Sequence, residues 1–86
     1  MKSLYELIKR EHEIVEGIRK YEHEIYCCKR DIEWCNDISF TCSEKTKSID
    51  LFEVRINKAE LAIVNSKIEL EYARQDIRRY FEELNK

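Results

Sequence analysis

Residues 49–84 read IDLFEVRINKAELAIVNSKIELEYARQDIRRYFEEL, and a large aliphatic side chain returns there at every seventh place. Counting from Ile49, these a sites are Ile49, Ile56, Ile63, Leu70, Ile77 and Leu84, and the d sites are Phe52, Ala59, Ser66, Ala73 and Tyr80. Spacings that alternate between three and four residues belong to a helix with an apolar seam, because 3.5 residues bring the chain back to the same side. The three central d sites are small, so a partner helix can approach closely there. The spacing predicts one long helix, from about residue 42 or 48 to about 85.

The first half of the chain repeats the pattern. With Leu4 as a, the a sites are Leu4, Glu11, Ile18, Ile25 and Ile32, and the d sites are Leu7, Ile14, Tyr21, Cys28 and Cys35. Glu11 is the single charged intruder. Ser3 and Glu6 stand three apart, as in a capping box, where each satisfies an amide of the first turn. A first helix is expected over about 4–35. Between the two runs, Asn36-Asp37-Ile38-Ser39-Phe40-Thr41 carries the best turn chemistry, since Asn and Asp tolerate the conformations that end a helix when glycine is absent. Thr41 and Glu44 offer a second capping box. The turn is placed at about 36–41.

Composition agrees. Of 86 residues 40% are charged and 43% hydrophobic, with one glycine and no proline, which suits long amphipathic helices and leaves a sheet protein without its turn residues. The expected fold is all-α: an antiparallel two-helix coiled-coil hairpin forming a single domain. Gly17 costs about 1 kcal/mol in a helix interior relative to alanine. Close approach of the second helix would account for it; a tolerated surface glycine is the alternative.

The second helix is apolar on a further face. Leu51, Val54, Leu61, Val64, Ile68 and Tyr72 occupy b, c and f positions, away from the seam. A hairpin joined through its seam alone leaves these six in water, and a helix with two apolar faces belongs inside a bundle. The six are therefore expected to form an oligomer interface, with two hairpins making a closed four-helix bundle. A second surface lies on the first helix, where Tyr26, Cys27, Arg30 and Trp34 share a face off the seam. Tyr, Arg and Trp are the types enriched in binding hot spots, so Tyr26, Arg30 and Trp34 are candidate contacts for a protein partner. Packing of Trp34 under the turn, against Ile38 or Phe40, is the competing role.

Chemistry is hard to find. Cys28, Cys35 and Cys42 are seven apart, about 10 Å along a helix, too far for one tetrahedral zinc. His23 and Cys27 at i,i+4 supply two ligands and no second pair. Cys28 and Cys35 fill seam positions as small hydrophobes; a Cys35–Cys42 bridge across the turn is possible on spacing, and reduced thiols are expected. Neither His12 nor His23 belongs to a two-histidine zinc helix or a Glu-x-x-His di-iron motif. With one glycine there is no phosphate loop. No catalytic residue, metal or cofactor is expected, and the chain reads as no enzyme.

Sixteen basic against eighteen acidic residues argue against nucleic acid as partner, because Lys9-Arg10, Arg19-Lys20, Lys29-Arg30 and Arg78-Arg79 are all interleaved with glutamates. Glu6–Arg10, Glu16–Lys20, Arg78–Glu82 and Arg79–Glu83 are spaced to pair along a solvated face. No apolar run approaches the roughly 20 residues of a membrane span, and Met1-Lys2-Ser3-Leu4 does not open a secretory leader. A cytoplasmic protein is expected, partnered by itself and by another protein. Two roles suit it best: stoichiometric binding, as an inhibitor or adaptor, or an architectural coiled-coil subunit. A ligand or nucleotide pocket between subunits is a weaker third. Ile-, Glu- and Lys-rich usage suits an AT-rich genome, and a small non-catalytic helical protein is an economical way for a phage to block a host factor.

Overall fold

The computed structural model describes residues 3–37 and 42–86, without the side chain of Cys42. Helix α1 spans Leu4–Asp37 and helix α2 spans Cys42–Leu84, and among the described residues there is no strand. Ser3 begins α1 in two ways. Its hydroxyl accepts the Glu6 amide at 3.3 Å, and its carbonyl accepts the Leu7 amide at 3.1 Å, the first hydrogen bond of the ladder. Asn36 and Asp37, assigned to the turn on their chemistry, instead complete the last turn of α1. The remaining turn residues, with Thr41 of the second capping box and the possible Trp34 neighbours Ile38 and Phe40, lie outside the described residues.

The helices run antiparallel, and ion pairs across the seam mark it. Arg10 and Glu11, early in α1, reach Asp76 at 3.3 Å and Arg74 at 3.8 Å, late in α2; Glu24 reaches Arg55 at 3.3 Å. Arg10, Asp76, Glu24 and Arg55 all occupy g positions, the flank that meets its own kind when two helices pair head to tail. Each pair is partly exposed, so each contributes at most about 1 kcal/mol. They specify register more than they add stability. Arg10 thus serves the second helix rather than Glu6, and Glu16 takes Arg19 at 2.8 Å instead of Lys20.

A rod 68 × 15 × 14 Å results, one helix wide in each half. Its core is a line. Among the described residues the buried apolar side chains are Leu7, Ile18, Cys28, Cys35, Ala59 and Ala73. Small side chains reach the centre of the seam, with Ala59 only 3% and Ala73 1% exposed, while the large a-site aliphatics of α2 straddle it mostly but not fully covered, apart from the exposed Leu84. Close approach at the small d sites is therefore real. Gly17 plays no part in it: a methyl group placed there meets no atom within 4 Å. Gly17 and Ser66 face one shallow dent of about 380 Å³, flanked by Arg10, Glu13 and Glu69, so the glycine sits beside open space.

Candidate functional site

The outer stripe of α2 follows directly from the heptad. Once the a and d positions turn toward α1, the f positions Val54, Leu61 and Ile68 point away, with Leu51 and Tyr72 at c and Val64 at b beside them. All six side chains are exposed, from 49% at Val54 to 68% at Leu51. A single hairpin offers nothing to cover them. The whole chain presents 6,856 Å² to solvent. A compact monomer of 10.5 kDa presents about 5,400 Å². The surplus is roughly 1,400 Å², much of it the price of a rod-like shape, and apolar along this stripe.

The second candidate surface joins the first. Trp34 is 59% exposed, and Tyr26 and Arg30 are exposed beside it on α1. Trp34 forms one wall of a groove of about 450 Å³ whose other wall is α2, with Leu51, Phe52 and Val54 as apolar lining and Arg55 and Lys58 at the rim. On its other side Trp34 borders a hollow of about 340 Å³ with Arg30 and Asp31. Sequence spacing kept the two surfaces apart, one on each helix. The antiparallel pairing brings their c flanks to the same side of the rod, so Trp34 and Leu51 become neighbours. No count along one helix could find that; the register of the pair was needed.

The rest of the aromatic face is ordered by neighbours on α1 itself. The His23 ring stacks on Tyr26 with centroids 6.4 Å apart, and Cys27 Sγ lies 3.5 Å from His23 Nε2. Two such groups make half a metal site at best. Among the described residues no three His, Cys, Asp or Glu side chains converge to hold a metal ion. Cys27, Cys28 and Cys35 are free thiols, and the last two sit deep in the seam. A further apolar group lies at the open end of the rod, where Tyr5, Ile8, Phe81 and Leu84 are exposed and Phe81 meets Tyr80 edge-on at 5.8 Å. Reading the sequence one helix at a time missed it as a cluster, because its members come from opposite ends of the chain.

No described helix is long and apolar enough to cross a membrane. The arrangement can present surface, and what it presents is a row of exposed apolar side chains from Trp34 along α2 to Tyr72, interrupted by Asn57, Lys58 and Asn65. No protein-family model, no curated protein and no solved structure matches this chain.

Proposed function

We propose that the protein is a non-enzymatic interaction module acting by stoichiometric binding. Copies pair through the outer face of α2 into a closed four-helix bundle, and the α1 face made by Tyr26, Arg30 and the side of Trp34 that borders Arg30 is left to meet another protein. The observation that carries this reading is the exposed stripe from Leu51 to Tyr72. Burial of a Leu, Ile or Val side chain contributes about 1.5–3 kcal/mol, and contiguous apolar patches of several hundred Å² on a protein surface mark contact sites. An obligate homodimer interface buries at least about 1,000 Å² of each chain, within the surplus that the rod displays. Rigid helices lose little entropy on docking, so a small aromatic patch suffices for useful affinity. A blocker of a host factor in the cytoplasm is the role that fits such economy best.

Light scattering at micromolar concentration tests the pairing, with Leu61→Glu expected to give single chains that stay helical by circular dichroism. Partner capture from the native cell, compared between the parent and the Tyr26→Ala, Arg30→Ala double variant, tests the second face. Loss of capture with an unchanged dimer supports it, and loss of the fold itself would show the face to be structural. The exposed group at the open end, Tyr5, Phe81 and Leu84, favours a second reading. Contacts there would string bundles end to end into an architectural assembly, seen as particles that keep growing with concentration.

A further inference from the structure

We infer that the groove beside Trp34 receives Tyr72 of a second copy, the two α2 helices lying antiparallel about a two-fold axis at Leu61. This rests on the dimer reading above and gives it a register. A two-fold interface is one patch meeting itself, so a helix packed antiparallel on its own copy needs a stripe that reads alike in both directions. Five of the six residues of the outer stripe do, Val64 opposite Asn57 being the exception. Val54 and Ile68 stand seven residues to either side of Leu61, and Leu51 and Tyr72 stand ten and eleven away. With Leu61 on the axis, Val54 meets Ile68 of the second copy and Leu51 meets its Tyr72.

The groove turns that alignment into a seat. Leu51 is one of its walls and Trp34 the other, and both occupy the c flank. Antiparallel helices set like flank against like flank, as the g-to-g ion pairs inside the hairpin illustrate. Tyr72, also at c and 59% exposed, therefore arrives between Leu51 and Trp34. A phenol is apt for the place, since its ring packs on apolar walls while its hydroxyl reaches a polar rim, here Arg55 and Lys58. The same alignment sets Arg55 opposite Glu69 and Glu53 opposite Lys67; its like-charge contacts are Asp50 opposite Glu71, at the far rim, and Glu60 opposite its own copy beside the axis. Sliding by one heptad in either direction is worse. One way sets Leu51 and Val54 against Arg79 and Gln75, and the other sets Ile68 and Tyr72 against Lys47 and Glu44.

Three measurements on the full chain decide it. Light scattering should give about 21 kDa, twice the chain mass of 10.5 kDa. Mild oxidation of the Leu61→Cys variant should give a covalent dimer that peptide mass spectrometry maps to position 61 in both copies, the parent protein being the control for native thiols. Trp34, the one tryptophan, should shift its emission to shorter wavelength as concentration drives pairing. Tyr72→Ala should abolish that shift and raise the dissociation constant about tenfold or more, with helicity retained because Tyr72 is exposed in the single hairpin. A single-chain particle that leaves the stripe to a foreign helix overturns both this inference and the dimer reading. A dimer that links through Val64→Cys but not Leu61→Cys, or whose Trp34 emission ignores Tyr72→Ala, overturns the register alone.

Discussion

Gly17 is where one residue says most about how the helices meet. Its interior position in α1 costs backbone entropy, and no contact repays it, since an added methyl group would enter open space. Gly17→Ala should therefore stabilise the hairpin by about 0.5–1 kcal/mol, read as a higher urea midpoint with an unchanged slope. A lower midpoint would mean that the dent shared with Ser66 closes on something in solution. The sequence could not decide this. A lone glycine in a helix fits close approach or idle exposure equally well, and the flank it occupies matters only once a partner helix has been placed. The cysteines were more legible: both occupy d positions, and Cys28 and Cys35 are buried to within 1% and 2%, although Tyr21 at the d position before them stays 37% exposed. Trp34 sits between these cases. Its face on α1 could be counted, but its neighbour across the groove could not.

At the scale of a helix, α2 works through the contrast between small d sites and large a sites. Ala59 and Ala73 let the backbones close over the seam, and the aliphatic a sites seal its edges. Enlarging a d site should pry the pair apart. Ala73→Leu is expected to cost about 1–3 kcal/mol by overpacking, and thermal denaturation should show it, whereas Leu61→Ala on the outer face should leave the melting of a dilute, unpaired hairpin within about 0.5 kcal/mol. The seam periodicity was readable throughout because seven-residue spacing survives a polar intruder such as Glu11. The ends of the elements were not. Asn36 and Asp37 favour turns only where the helix has nothing better to do, and in a chain without proline nothing compels α1 to stop before them.

For the molecule as a whole, the decisive quantity is how little a two-helix rod can bury. Its described core holds two alanines, two cysteines, one leucine and one isoleucine, a thin set for a chain of 86 residues. Stability should then depend on pairing. The melting temperature is expected to rise with protein concentration from the low micromolar range upward, as mass action requires when folding and association are linked, and Leu61→Glu should flatten that dependence. A concentration-independent melt in the parent protein would place the needed burial within one chain and weaken the case for self-association.

The antiparallel pairing has a mechanical side. Because Arg10 meets Asp76 and Arg74 meets Glu11, Leu4 and Leu84 emerge at the same end of the 68 Å rod. A force drawing those two ends apart loads one seam layer at a time, like the slider of a zip, and never the whole row at once. Each layer holds little, so the rod should part progressively from the open end toward the turn under a gentle pull. Gripped instead at Leu4 and at Cys42, the load runs along the backbone of α1, and the seam is spared. A tether at the chain ends makes this protein a soft joint; a tether across its length makes it a strut.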